Sequence, residues 1–478
     1  MPDESDVGAA VSVWRVTPQG GVPTILRFDR RTGLLRQAEY RTWGNRLIRR
    51  YDDWRDGGRG LMIAFSERDE DPEDEETQTI TVSLVSLGKS YFPPSTFVRP
   101  APPKDYAILG GAQSTTVRYE DDGGARIYVP VLVNGKGPYA FEIDTGGHLI
   151  IGTELAKALE LKPVGQFANT GAGTAVTQTG VVANQEIRIG NAVIRRQAAK
   201  VRPFPNDRVT GKPPRMGLLG LELFERFAVR IDRAKKEVVL TPLERFAAGS
   251  GTALPIRFIE DAPLTRGAYN GMPGDFEIDS GNAGPTIIEG YWAHAHGLDA
   301  TLSKGLQWAA GSGASGYQEW LSRGDLELGS IRLPHQIVSY VGQPTRGSES
   351  TQLQAGLAGE WALHCFDTTY DYRHGIVWVG TRRDCPDLPF NHAGLRIAKD
   401  GDGLVATIVV PGTPAEAAGI RTGDRIVSIG GQEASGLSAR DAGMLLAGPI
   451  GSELDMVFAA KGGGELRNVR LKLVELVP

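Results

Sequence analysis

Over the first hundred residues apolar and polar positions alternate, as in Val11-Ser12-Val13-Trp14-Arg15-Val16 and Thr79-Ile80-Thr81-Val82-Ser83-Leu84-Val85. A period of two sends successive side chains to opposite faces of a strand. Turn signals such as Arg31-Thr32-Gly33 separate the runs, so residues 1–107 are expected to form an antiparallel β-domain. The acidic run from Glu67 to Glu76 reads as a solvated loop tip, with a calcium site as the alternative. Pro100-Ala101-Pro102-Pro103 interrupts regular structure and reads as a linker.

Further on, Ala125 to Val133 is an apolar-rich strand, Asn134-Gly135 a turn, and a second strand runs into Asp144. Ile150-Ile151-Gly152 leads into a short helical pattern ending near Leu159, with Thr153 in the N-cap place. Thr286 to Ala293 repeats that strand-to-helix pattern. From Leu388 the pattern changes again, with strands at Gly394 to Ile397 and Val405 to Val410.

One stretch organises the rest. Phe141-Glu142-Ile143-Asp144-Thr145-Gly146 returns as Phe276-Glu277-Ile278-Asp279-Ser280-Gly281, an offset of 279 − 144 = 135. In each copy an apolar run ends in an aspartate, a hydroxyl residue and a glycine, which sets a carboxylate on a tight turn. Gly217-Leu218-Leu219-Gly220, running on to Phe227 and Asp232, returns as Gly356-Leu357-Ala358-Gly359, running on to Phe366 and Asp371, an offset of 356 − 217 = 139. Between these anchors each half has a glycine-rich turn, Thr170 to Gly173 and Ala310 to Gly313. A fixed order of features at a fixed period reports a repeated structural unit.

The doubled set resembles the aspartic peptidases of the retropepsin and pepsin type over residues 108 to 390. The resemblance implies two lobes in one chain, each a double-ψ β-barrel: Asp-Thr/Ser-Gly on a loop, then a flap hairpin, then an apolar-apolar-Gly segment crossing beneath. It further implies that Thr145 and Ser280 brace the two loops against each other, and that the backbone at Gly146 and Gly281 lies beside the carboxylates. Gly147 and Asn282 depart from the residues that the family carries after the triplet. No tyrosine occupies the first glycine-rich turn, and Tyr317 on the second is a candidate flap contact to substrate. Residues 391 to 478, through Pro414-Ala415-Glu416-Ala417-Ala418-Gly419-Ile420 and Gly423-Asp424-Arg425-Ile426, resemble a bacterial PDZ domain. That implies a carboxylate-binding loop at Ala393-Gly394-Leu395-Arg396 and a facing helix from Ser438 to Leu446, for a peptide C-terminus or another part of the same chain. Asp29 to Leu35, with Phe92-Pro93-Pro94, resembles the curved-sheet domains of the lipoprotein-carrier type in bacterial envelope proteins.

The chemistry follows from two carboxylates brought together. Both cannot ionise easily, so they hold one proton between them, activate a water and polarise the attacked carbonyl. The proton belongs to the pair Asp144 and Asp279, and neither is assigned as acid or base.

Composition narrows this picture. At 478 residues the chain exceeds one core, and three or four domains are expected. The divisions read as 1–107, the first lobe 108–247, the second lobe 248–390 and the PDZ domain 391–478. With 52 basic and 57 acidic residues the net charge is −5, which offers no footprint for nucleic acid or an anionic membrane. No apolar run approaches the roughly 20 residues that span a bilayer. Met1 to Asp6 lacks the features of a signal peptide; with a leader already removed, a periplasmic or secreted location would suit. Cys365 and Cys385 are either a disulfide of an oxidising compartment or two free thiols. Neither metal-ligand spacing, a Gly-x-Ser-x-Gly elbow nor a Walker loop is present, and His294 and His296 read as surface or helix-end residues, so no metal or cofactor is expected.

The expectation is thus a mainly β aspartic endopeptidase acting on polypeptide, with a PDZ module that recognises substrate or partner or restrains access. The alternative is an inactive pseudo-peptidase serving as a scaffold for partner proteins.

Overall fold

The computed structural model describes residues 10–17, 22–42, 45–72, 76–83, 85, 96, 98, 103–121, 126–170, 176–204, 214–259, 261–310, 317–342, 351–385, 388–401, 403–460 and 465–477. The molecule is mainly β. It divides into two compact units, one of residues 1–102 with 343–353 and one of residues 103–342 with 354–478.

The first unit holds a six-stranded antiparallel meander, Val11–Val16, Thr24–Asp29, Leu35–Thr42, Asn45–Asp56, Met62–Asp71 and Glu76–Thr81, each strand paired with the next. The first part of the acidic run is strand and not loop tip, while residues 73–75 lie outside the described residues. Glu67 to Asp71 lie within a strand, where Arg49 takes Asp69 at 2.6 Å and Arg50 takes Glu70 at 3.0 Å. Cross-strand arginines make a polar run compatible with a sheet, because opposite charges face each other across the ladder. The Pro100 to Pro102 part of the linker lies outside the described residues.

In the second unit the first lobe is built from β1 (Ile127–Val133), β2 (Lys136–Ile143), β3 (Ile150–Gly152), α1 (Thr153–Ala158), β4 (Val176–Ile189), β5 (Ala192–Arg202), β6 (Arg215–Leu219) and α2 (Leu221–Phe224). Asn134 and Gly135 both adopt positive φ, 51° and 78°, and close the β1–β2 hairpin that their dipeptide forecasts. Strand β2 lies parallel to β6, which lies antiparallel to β3. Thr153 is the first helical residue and not the cap. Gly152 caps α1 without a side chain, and a Cβ there would press on the Met216 carbonyl at 2.9 Å.

The second lobe repeats the plan with β7 (Ala262–Tyr269), β8 (Met272–Ile278), β9 (Thr286–Ile288), α3 (Gly290–Ala295), β10 (Tyr317–Leu328), β11 (Ile331–Tyr340), β12 (Gly356–Ala358) and α4 (Glu360–Leu363). Strand β8 lies parallel to β12, which lies antiparallel to β9, matching the first lobe pair for pair.

A thirteen-stranded sheet runs from the second lobe into strands of the first. Within it Phe227–Asp232 pairs antiparallel with Thr368–Asp371, and Arg230 stands opposite Thr369. Since 369 − 230 = 139, the offset of the repeat, these two residues are counterparts, and the pseudo-two-fold relating the halves passes between them. One apolar core includes Phe141, Phe224 and Phe227 of the first half with Phe276, Leu326 and Tyr370 of the second.

Beyond these lies a smaller sheet with its own core around Leu404, Ile429 and Phe458. Its strands are β13 (Leu395–Asp400), β14 (Gly403–Val409), β15 (Arg425–Ile429), β16 (Glu453–Ala459) and β17 (Leu466–Lys472), with helices α5 (Pro414–Ala417) and α6 (Ala439–Leu446). Strand β13 is at the edge, and α6 packs beside it. Ser438 caps α6 in a reciprocal box with Asp441. Cys365 and Cys385 form a disulfide, with Cα atoms 5.8 Å apart.

Candidate active site

Each aspartate sits where its strand leaves the sheet. The N–H of Asp144 donates to the Leu219 carbonyl at 2.9 Å, and that of Asp279 to the Ala358 carbonyl at 3.0 Å. The glycine-led segments cross directly beneath: Leu221 N–H donates to Gly147 O at 2.8 Å, and Glu360 N–H to Asn282 O at 2.9 Å. A side chain on Gly220 would strike the Gly147 carbonyl, and one on Gly359 the Asn282 carbonyl. That close approach explains why the repeat keeps glycine there.

The loops are locked to each other by four buried hydrogen bonds. Thr145 Oγ1 donates to Ile278 O at 2.6 Å and accepts from Ser280 N–H at 2.9 Å; Ser280 Oγ donates to Ile143 O and accepts from Thr145 N–H, both at 3.1 Å. Both side chains are fully buried.

Gly146 N–H donates to Asp144 Oδ1 at 3.0 Å, and Gly281 N–H to Asp279 Oδ1 at 2.7 Å. A Cβ on Gly281 would lie 2.5 Å from Asp144 Cγ, and one on Gly146 3.8 Å from Asp279 Cγ. The two carboxyl groups therefore meet over the paired glycines. Burial, then the neighbouring Asp279 and Glu142, push the Asp144 carboxyl well above the usual carboxylate range. Such a pair can hold a proton at a pH where a solvated aspartate has lost it.

Several contributors escape a motif search. Tyr372 donates its hydroxyl to Thr145 O at 3.0 Å, and burial keeps that phenol protonated. Its counterpart in the repeat, Arg233 (372 − 233 = 139), is buried against Glu360 of the second lobe at 2.5 Å. Glu142 and Glu277 precede the aspartates by two residues and are both buried. His148 bridges Glu222 of α2 at 3.2 Å and Asp261 of the second lobe at 2.7 Å. The hydrogen bond that His148 donates to Glu222 raises its pKa, against burial and Lys200. Register alone could have found Tyr372 and Glu277; the others depend on distant partners.

Tyr317 opens β10, but its side chain and the glycine-rich turns at 171–173 and 311–313 lie outside the described residues. At the PDZ loop, Asn391 Oδ1 accepts from both Ala393 N–H and Gly394 N–H at 3.0 Å, and its amide donates to Leu395 O at 2.7 Å. Arg396 lies on the edge strand; burial raises the pKa of Glu319 of β10, against the hydrogen bond from Ser339 and the charge of Arg396. Glu475 pairs with Arg323 of β10 at 3.0 Å. His364, Cys365 and Cys385 offer ligand atoms within 4.8 Å of one another, with the two sulfurs joined as a disulfide. Among the described residues no helix is long and apolar enough to cross a membrane.

Comparison with known proteins places an aspartyl protease domain at residues 129–223 and a PDZ domain at residues 405–459. A curated relative, the chloroplastic C-terminal processing peptidase of Tetradesmus obliquus, is 42% identical over 72 residues, 14% of this chain and 16% of that protein. A solved structure, a photosystem II D1 C-terminal processing protease, is 38% identical over 17% of this chain and 22% of its own, with a TM-score of 0.17. The chain thus spans less than a quarter of either relative.

Proposed function

We propose that this chain, which joins an aspartyl protease domain to a PDZ domain, is an aspartic endopeptidase whose two lobes hydrolyse polypeptide between Asp144 and Asp279. The observation that carries the reading is the meeting of the two carboxyls across Gly146 and Gly281, where burial and then Asp279 raise the pKa of the Asp144 carboxyl.

The paired carboxyls share a proton. The ionised member takes a proton from water as its oxygen attacks the carbonyl carbon; the protonated member gives its proton to the carbonyl oxygen. Collapse of the tetrahedral species breaks the C–N bond, and a proton passes to the leaving amine. Thr145 and Ser280 fix the loops so that neither carboxyl can swing away, which keeps the pair preorganised. The PDZ module supplies recognition of polypeptide, a peptide end lying along β13 beside α6.

Purified protein with an unfolded polypeptide substrate tests this. Asp144→Ala and Asp279→Ala are each expected to abolish cleavage while the far-ultraviolet spectrum is kept. Cleavage that survives either change rejects the dyad, and no turnover by the native chain at any pH leaves a binding scaffold.

A further inference from the structure

The first lobe brings two guanidinium groups to one acid beside the dyad and packs a third alongside. Glu142 is buried and takes Arg126 at 3.4 Å and Arg215 in a close ion pair. Arg202 ends β5, opposite Gly152 on the strand that follows the catalytic loop. The ring of Phe204 lies under two of these cations, 4.6 Å from Arg215 Cζ and 5.6 Å from Arg202 Cζ. Arg202 Nε is buried and has no hydrogen-bond partner among the described residues. Burial and then Arg215 weaken its cation, while Asp144 and Glu142 favour it, so the guanidinium is within electrical reach of the reacting carboxyl.

The second lobe does not repeat this. The counterpart of Arg215 is Gln354 (354 − 215 = 139), whose amide donates to Glu277 and to Glu289, each at 3.3 Å. Charge is therefore distributed unequally about the dyad, with guanidinium groups on the first lobe and an amide between carboxyls on the second.

We propose that Arg202, packed with Arg215 on Phe204, forms an anion-binding subsite that receives an acidic side chain of the substrate next to the scissile bond. The proposal rests on the peptidase reading above. A guanidinium offers a planar fork of donors that fits a carboxylate, and a buried donor left unpaired is costly. An incoming carboxylate fills the open donor and offsets the repulsion between Arg202 and Arg215.

The test uses the full chain and peptides that differ only by Glu or Gln at the residues flanking the scissile bond, assayed where Glu is ionised. The native enzyme is expected to favour the Glu peptide in kcat/KM by about ten-fold. Arg202→Gln brings the ratio to about one, Arg202→Lys keeps part of it, and Arg202→Glu turns the preference toward a Lys peptide. Equal rates for Glu and Gln peptides in the native chain overturn the subsite, whatever the variants do. So does an Arg202→Gln enzyme that keeps the ratio but shifts the pH profile, since Arg202 would then serve the dyad. Failure to cleave any peptide is a separate result, which removes the peptidase reading as well.

Discussion

Thr145 and Ser280 exchange matching hydrogen bonds across the pseudo-two-fold, each hydroxyl accepting the other's backbone N–H and donating to a carbonyl of the opposite strand. Every one of these groups is buried, so removing a hydroxyl orphans both an N–H and a C=O. Thr145→Val and Ser280→Ala are each expected to cost about 2–4 kcal/mol, while Thr145→Ser costs under about 1 kcal/mol. Urea unfolding measures this; a loss under 1 kcal/mol for both larger changes would mean the loops are held by other contacts.

The raised pKa of Asp144 carries a stability consequence. In the unfolded chain the carboxyl ionises in the ordinary range, whereas in the fold it keeps its proton to higher pH. The folded state thus binds more protons, and stability falls as pH rises from the ordinary range through the raised pKa. Asp144→Asn should abolish turnover and yet stabilise the protein more at neutral pH than at pH 4. Equal gains at both pH values would contradict the buried, protonated pair.

Gly281→Ala brings a methyl group within 2.5 Å of Asp144 Cγ. The carboxyls must separate to admit it. A fall in kcat of at least about 100-fold is expected, on the scale of a 1 Å misplacement of reacting groups. Steady-state kinetics on the folded variant decides the matter, and a fall under ten-fold would show that the loops yield without cost.

His148 gains its proton through Glu222, with Asp261 on its other nitrogen. A raised folded pKa contributes stability that is complete below the unfolded value and is lost as pH rises through the folded one. His148→Gln should therefore destabilise at pH 5.5 more than at pH 9, by no more than about 1 kcal/mol, since the ring is one-third exposed and screened. Thermal melts at the two pH values read the difference, and equal losses would assign His148 to packing alone.

Much of the candidate site's geometry was readable because it depends on local sequence. Asp-Thr-Gly and Asp-Ser-Gly specify a turn, and the glycines at 220 and 359 record a close backbone crossing that permits no side chain. Where an interaction joins distant strands the sequence is silent: Glu142 and Arg215 lie 73 residues apart and meet only because β2 and β6 run parallel. The acidic stretch at Glu67 misled because composition favours solvent, while its strand assignment comes from arginines about 20 residues away. Thr153 misled by one residue, because the tight contact at Gly152 moves the helix start.

The ladder between Phe227–Asp232 and Thr368–Asp371 makes the halves share a backbone seam on their common axis. A seam of that kind resists any jaw-like swing of one lobe against the other, since opening would break main-chain bonds at the fulcrum. On the proposed peptidase reading, entry of a long polypeptide is governed at the rim, by hairpins such as the one that β10 and β11 form, and the ion pair of Arg323 with Glu475 puts the C-terminal module in touch with that same hairpin.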